Sequence, residues 1–235
     1  MRPALIVLAA ISFLQTASAM AQNYPEIAEP MVFDMVRPLG ARAGELEVNT
    51  LAQTRLSGPD RAVEWAPEIE LAVADGLAVE LELPFDDGRV TDYKLGLQGT
   101  FGALDGGKGV HGVQYLGLYN RESGRWESSL LYLVGYRFHA RWSMMAMAGA
   151  GDVTFAKGGR SRALLNHSTF YDASPATTLG IEFNLQSGAG RQLLIMPQLH
   201  QDIAPRLSMQ AGIGAAHQRE LGWRPQAGLR VIREL

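Results

Sequence analysis

The sequence predicts an all-β protein, an antiparallel up-and-down transmembrane β-barrel of about 12 strands, with about 10 strands as the alternative. Runs in which apolar and polar residues alternate recur along most of the chain, with turn residues between them. Several runs carry acidic residues on their polar side, which a dry protein core would not tolerate. The first residues predict an export signal, and no later segment is apolar enough to predict a transmembrane helix.

The clearest pattern is a β-hairpin over residues 63–85. Apolar residues occupy every second position through 63–73 and again through 77–85, with a short polar turn between the two runs. If the two apolar faces coincide, residues 74–76 form a three-residue loop in which Gly76 takes a positive φ.

This register places two pairs of glutamates opposite each other on the polar face of the hairpin. Glu70 faces Glu80, and Glu68 faces Glu82. Such carboxylates need water or cations on their side, whereas the other side is a row of large apolar residues. Lipid outside and a polar lumen inside satisfy both faces, as in membrane-spanning barrels.

The first residues predict a secretory signal peptide over 1–21. An apolar run follows Arg2 and leads to a small-residue cleavage pattern that ends at Ala21. An N-terminal anchor helix is the alternative, but the run is shorter than the ~20 apolar residues of a membrane span. Residues 22–44 contain three prolines and predict an extended periplasmic segment, with residues 31–35 as an optional short strand. The barrel domain then covers residues 45–235.

Composition narrows the class of protein. Loss of Arg2 with the signal takes the formal charge from −3 to −4, so no basic field favours nucleic acid. Cysteine is absent, which excludes disulfides and thiolate metal sites. The 26 glycines are frequent within alternating runs, where they would weaken a helix. A mature length of roughly 214 residues fits ten to twelve spans better than eight.

Apolar and polar residues alternate along the rest of the chain in the same way, with one interruption. Residues 152–175 predict an external loop followed by one weak strand, and the basic stretch within it could contact lipopolysaccharide phosphates. Closure with both ends at the periplasmic side requires an even strand number, which favours twelve. Besides the hairpin, the predicted runs are 45–55, 89–101, 110–120, 125–138, 142–151, 177–186, 191–202, 206–217 and 222–235.

Aromatic residues lie mostly near the ends of these runs, where the aromatic girdles of a membrane barrel belong. The core of a soluble periplasmic barrel or sandwich is the alternative. It would leave little polar surface outside, because the inner faces carry so many charges. The predicted interface tryptophans are Trp65, Trp126, Trp142 and Trp223.

Three segments carry a family resemblance: GELEVNTLAQ from Gly44, EWAPEIELAVADGLAVELELPF from Glu64, and LLIMPQLHQDIAPRLSMQAGIGAA from Leu193. They resemble the outer-membrane barrel family typified by the transporter of the phenol meta-degradation operon. The motifs are strand and turn patterns, so the resemblance implies a transporter-like architecture and supplies no catalytic residues. The last run departs from the usual terminal aromatic of such barrels, because it ends in Leu235 and carries Arg233 on its outward face.

The predicted lumen mixes both signs of charge, and the last run's arginines are expected beside Glu45 and Glu47 of the first. One hypothesis is a passage for small polar solutes or cations with an acidic wall. The other is a set of interlocked ion pairs that plugs a narrow barrel. The lumen residues are Glu64, Glu68, Glu70, Glu80, Glu82, Lys94, Arg137, Glu182, Arg224 and Arg230.

No enzyme is predicted. Some outer-membrane barrels hydrolyse lipids, but His167 and Ser168 are adjacent on a run and point to opposite faces. The five histidines are scattered, so no metal site or cofactor is predicted. The expected location is the outer membrane of a Gram-negative cell, with membrane lipid, lipopolysaccharide and the barrel-insertion machinery as partners. A plugged or lipopolysaccharide-contacting barrel without transport remains the main alternative.

Overall fold

The computed structural model describes residues 24–58, 61–153, 161–188 and 190–235, and the regular structure in these ranges is almost entirely β. The predicted signal peptide and residues 157–160 of the basic stretch lie outside them. The strands are β1 (Leu46–Arg55), β2 (Val63–Ala74), β3 (Leu77–Glu82), β4 (Phe85–Asp86), β5 (Arg89–Val90), β6 (Asp92–Leu104), β7 (Gly109–Asn120), β8 (Trp126–His139), β9 (Trp142–Gly151), β10 (Arg162–Ser174), β11 (Thr177–Gln186), β12 (Gln192–Ala204), β13 (Leu207–Gln218) and β14 (Gly222–Glu234).

Twelve of these strands form one closed antiparallel barrel, which confirms the predicted fold class and the larger strand number. Each strand pairs with the next along the chain, and β14 pairs with β1, which also pairs with β2. The two-residue strands β4 and β5 form a small hairpin in the connection from β3 to β6. Closure pairs every one of these twelve strands on both sides, the condition for a barrel to sit in lipid.

The two ends of the barrel differ in the length of their connections. Four connections at one end, β2 to β3, β8 to β9, β10 to β11 and β12 to β13, have only two residues, and β6 to β7 has four; most connections at the other end are longer, except the three residues between β13 and β14. We refer to these two ends as the turn end and the loop end. In outer-membrane barrels short turns face the periplasm and longer loops face outwards. The start of β1 and the end of β14 both lie at the turn end, where Leu235 N donates to Leu46 O over 2.9 Å.

The hairpin of β2 and β3 confirms the predicted pairing of Glu68 with Glu82 and of Glu70 with Glu80. Its tip differs from the three-residue loop expected. Ala74 pairs with Leu77 around a two-residue turn, and the ladder shifts by one residue between Ala72 and Ala74. Gly76 has the expected positive φ of 70°. The bulge absorbs the odd residue, so the apolar faces still coincide.

The outward face carries exposed apolar side chains at every second position, for example Leu81, Leu97, Leu130 and Ile213. A soluble protein rarely exposes so continuous an apolar surface, whereas lipid covers it in a membrane barrel. No helix among the residues described is long and apolar enough to cross a membrane. Trp65, Trp126, Trp142 and Trp223 all point outwards near strand ends and are 42–54% exposed; their contact with headgroups stays a prediction.

One strand follows the β9–β10 connection, as predicted for residues 152–175, but it is longer and better paired than the weak strand expected. Arg162–Ser174 is a regular 13-residue strand, paired with both β9 and β11. Its alternation includes Asn166 and Ser168 on the inner side and polar His167 on the outer side. A polar residue on the lipid side obscures the period of two in the sequence.

The interior has two chemically different walls. Buried carboxylates of β1, β2 and β3 form the acidic wall: Glu47, Glu68, Glu70, Glu80 and Glu82. Buried apolar side chains of β7, β8, β9 and β10 form the apolar wall: Val110, Leu131, Leu133, Met145, Met147 and Phe170. A lumen filled with water would be polar all round, so the apolar wall implies that something apolar covers it.

Candidate functional site

The covering element is the segment before β1. Residues 24–45 are here named the plug segment; the sequence predicts a periplasmic extension there, with a short strand over residues 31–35 as an option. The segment carries no strand in the structure and lies inside the barrel. It starts at the turn end, where Arg137 Nε donates to Glu26 O, and it returns there, where Gly44 N donates to Ala72 O. Between these points it reaches the middle of the lumen.

The apolar residues of the plug segment pack on the apolar wall. Ile27, Met35 and Leu39 form one buried cluster with side chains of β7 to β10. Met31 packs in a second cluster with Leu194 and Met196. Met31 and Met35 are 1% and 0% exposed, so the lumen holds no water around them. Burial of this kind contributes roughly 25 cal/mol per Å² of apolar area, which favours the inserted state of the segment.

The charged residues of the plug segment face the acidic wall. Arg37 lies 2.7 Å from Glu47 and 3.4 Å from Glu45. Arg37 and Glu47 are buried, whereas Glu45 is exposed. Arg230 on β14 binds the same wall, at 2.8 Å from Glu68 and 3.4 Å from Glu70. Arg37 therefore supplies from the plug a positive charge that the wall needs, since buried carboxylates without a counterion are strongly unfavourable.

A second charged contact lies at the tip of the plug segment. Lys94 on β6 forms ion pairs with Asp34 of the plug and with Glu82, and lies 2.9 Å from Glu80. The ligand atoms of Asp34, Glu68, Glu80 and Glu82 lie within 4.8 Å of one another, which is close enough for a cation. The ammonium of Lys94 occupies this position, so the protein supplies its own cation there.

The tip is also held by a buried carboxylate on the opposite side of the barrel. Glu182 on β11 is 0% exposed and accepts backbone N–H bonds from Met31 at 2.9 Å, Val32 at 3.1 Å and Phe33 at 2.6 Å. Asn184 donates to the same carboxylate over 2.7 Å. Hydrogen bonds to a charged acceptor are about twice as strong as neutral ones, so this contact fixes the height of the tip in the lumen.

Two glutamines of the wall bind the plug backbone. Gln114 accepts from Val36 N over 3.0 Å and donates to Asp34 O over 2.9 Å, and Gln98 donates to Arg37 O. These bonds satisfy backbone groups that have no strand partner inside the barrel. The plug segment is thus held by side chains around the lumen rather than by addition to the sheet.

The structure directs all ten predicted lumen residues inwards, but most of them do not face water. Glu68, Glu70, Glu80, Glu82, Glu182 and Arg230 are buried, Glu64 is exposed towards the loop end, and Arg137 pairs with Asp172 at the turn end. Their role in ion passage stays a prediction.

The predicted position beside Glu45 and Glu47 is wrong for Arg224, whereas Arg230 does lie near Glu47, because Asn49 hydrogen-bonds to both side chains. Arg224 lies at the loop end, where its Nη1 is 3.5 Å from Ser57 O, because the antiparallel register pairs Glu47 with Glu234. Arg230 lies opposite Leu51 and binds Glu68 and Glu70. Alternation fixes which face a side chain takes but not its height along the barrel, so it does not determine the register between the first and last strands.

Two of the cavities in the barrel lie on opposite sides of the plug segment. The loop-end cavity has a volume of about 340 Å³ and is bounded below by Val32, Phe33 and Asp34. The turn-end cavity has a volume of about 470 Å³ and is lined by both arms of the segment, residues 24–29 and 38–42. Between them lies a layer of buried side chains that includes Glu70, Glu80, Gln114 and Met196.

One buried acid of the plug segment has an unusual proton affinity. Glu29 is 8% exposed, and its nearest cation is Arg230 at 3.6 Å. Burial, and then the Glu47 carboxylate, raise the pKa of Glu29 to about 7, while the positive charges of Arg230 and Arg37 oppose the change. The plug therefore contains a group that changes charge near neutral pH.

Comparisons with known proteins agree with the architecture. A family model described as HAEPLYID-like matches residues 26–106, which is less than half of the chain and includes most of the plug segment and the acidic wall. No curated protein matches the sequence.

Solved outer-membrane barrels share the fold at low sequence identity. The KdgM porin, in complex with disordered oligogalacturonate, superposes with a TM-score of 0.66 at 9% identity, over 80% of this chain and 99% of that one. The NanC porin gives a TM-score of 0.63 at 9% identity, over 81% and 100%. An outer membrane channel from Pseudomonas putida F1 gives 0.59 at 14% identity, over 89% and 100%. The chain therefore has the fold of outer-membrane porins.

Proposed function

We propose that this protein is an outer-membrane channel for small solutes whose lumen is closed, in the state described, by its own plug segment. The porin fold, the outward apolar surface and the unequal connections support this location and orientation. Export by a signal cleaved near Ala21, insertion by the barrel machinery and contact with lipopolysaccharide belong to the same proposal. So does membership of the family typified by the transporter of the phenol meta-degradation operon.

The observation that carries the proposal is the pair of cavities on opposite sides of the plug. Each opens towards one end of the barrel, and between them lie the plug segment, held by non-covalent contacts, and the wall side chains that pack on it. A barrel with a structural role alone would need neither cavity. Displacement of the tip would join the two spaces into one passage, with the acidic wall on one side and the apolar wall on the other.

A permanently closed barrel is the second candidate, and the complete burial of the middle layer favours it. The two candidates differ in whether the plug moves. They also differ in the role of the glutamates, which would bias the passage towards cations only after Arg37 has left the acidic wall.

A disulfide between the plug and the wall distinguishes the gated channel from the permanently closed barrel. Because the chain has no cysteine of its own, an introduced pair can form only the intended disulfide. A Cβ at Gly96 would lie 2.5 Å from Cγ2 of Val36 in the plug, so the two Cβ atoms are within about 4 Å, as a disulfide requires. The double variant Val36→Cys with Gly96→Cys should be silent in planar bilayers when oxidised and should conduct after reduction. The single variants, and a heat-dependent shift of the folded band on gels, are the controls.

Equal conductance before and after reduction would show that current bypasses the plug, which contradicts the gate. Silence in both states calls for the variant Arg37→Gln, which loosens the plug by removing its contact with Glu47. If this folded variant is also silent, the barrel is closed and the channel proposal is wrong.

A further inference from the structure

The loop-end cavity is more apolar than a porin lumen should be. Its volume of about 340 Å³ lies at the small end of the range for ligand pockets. The floor is formed by Val32 and Phe33 of the plug segment. Six leucines from five strands line its wall: Leu116, Leu118, Leu131, Leu164, Leu185 and Leu194. A passage for ions or sugars gains nothing from such a lining, because apolar surface in contact with water is unfavourable.

The charged groups around this cavity are already paired. Arg162 Nη2 lies 3.3 Å from Glu127, and Lys94 is bound by Asp34, Glu80 and Glu82. An ionic ligand would have to break one of these pairs and leave a partly buried charge without compensation. The other polar groups of the lining are neutral amides and a hydroxyl, from Asn184, Gln186, Gln192 and Ser129.

We propose that the loop-end cavity is a binding site for a neutral amphipathic solute, with a compact apolar body and one hydroxyl or amide group. The apolar body contacts the leucines and Phe33, and the polar group contacts the amides. This inference rests on the proposed channel function and names its class of solute. Because Val32 and Phe33 form the floor, a solute in the site touches the tip of the plug directly.

Protection of an introduced thiol tests the site without a measurement of transport. The variant Leu164→Cys places the only thiol of the chain in the cavity, and Glu122→Cys places a matched control thiol in an exposed turn. Labelling of the folded, detergent-solubilised protein by a water-soluble maleimide is followed with three probes of one shape: adamantanol, adamantane carboxylate and adamantyl ammonium.

Adamantanol at about ten times its Kd should slow labelling of the cavity thiol about tenfold, by mass action, and leave the control thiol unchanged. The charged analogues should have little effect on either. Leu118→Asn in the same background should weaken protection by adamantanol. Protection by all three probes alike, or by none, overturns the proposal. Bilayer conductance is independent of this result, so a failure of the binding site and a failure of the channel are distinguishable.

Discussion

Individual charged residues decide whether the plug segment stays in place. Arg37, Lys94 and Arg230 are each surrounded by several carboxylates, and each forms at least one ion pair that joins the plug to the wall. Removal of one partner from a buried ion pair typically costs about 3–5 kcal/mol, whereas replacement of the whole pair by apolar groups is often neutral. These residues therefore specify the docked position of the plug rather than adding stability in proportion to their number.

Glu29 should make the plug sensitive to pH. The pKa of Glu29 is about 7 in the docked plug, above its ordinary value of 4.5. Between pH 4.5 and pH 7, Glu29 therefore keeps its proton in the docked plug but loses it in the released plug. The contribution of Glu29 to docking is thus fully present below about pH 4.5 and is lost as pH rises through 7. The fraction of time that single channels spend open in planar bilayers should be severalfold higher at about pH 8 than at about pH 5.

The variant Glu29→Gln isolates this effect from the other carboxylates nearby. It keeps the shape of the side chain but cannot ionise, so the pH dependence of opening should flatten. Arg230, Arg37, Glu47 and Glu68 face the same side chain and stay unchanged in the variant. If Glu29→Gln retains the full pH dependence of the natural chain, another group controls the response.

At the scale of elements, alternation in the sequence predicts the strands but not the plug. The pairings Glu68–Glu82 and Glu70–Glu80 are predictable because the apolar faces must coincide and the connection is short, whereas the pairing at the tip differs by one residue. The plug segment has no regular period, so pattern analysis places it in a loop. The sequence contains one sign of the plug segment. The β2–β3 hairpin has more inward carboxylates than β6 and β14 together have inward cations, and Arg37 of the plug supplies one of the missing positive charges. The apolar wall is equally hard to predict, because apolar residues on both faces of a strand hide which face is inside.

The contact between β12 and β13 depends on one glycine. Pro197 has no backbone N–H for the ladder, which skips from Ile195–Ala215 to Gln198–Gly212. In this gap a Cβ at Gly214 would lie only 2.1 Å from Ile195 O and 2.8 Å from Met196 Cα. Gly214→Ala should therefore push the strands apart and lower the free energy of unfolding by about 1–3 kcal/mol.

Gly228→Ala is the matched control, because the atom nearest to the added Cβ would be the flexible end of Met31, at 3.0 Å, and the nearest backbone atom, Ala52 O, would lie at 3.8 Å. Its cost should stay below about 1 kcal/mol. Urea titration of both variants, refolded in lipid vesicles, gives the comparison. An equal loss in the two would show that the close approach of β12 to β13 is not maintained in solution.

The stability of the whole barrel depends on lipid around its outward apolar surface. A charge placed on this surface halfway between the two ends of the barrel tests this dependence. Ile213 is 69% exposed and lies halfway along β13, between the two ends of the barrel. If hydrocarbon surrounds it, Ile213→Arg should destabilise the protein by about 2–4 kcal/mol in refolding titrations with lipid vesicles. Leu221→Arg, at an exposed leucine in the connection to β14, should cost only about 0–1 kcal/mol because an arginine there reaches the headgroups. A barrel that stands in water instead would tolerate arginine equally at both positions. The ratio of the two costs therefore measures where the membrane lies on this barrel, independently of whether the plug ever opens.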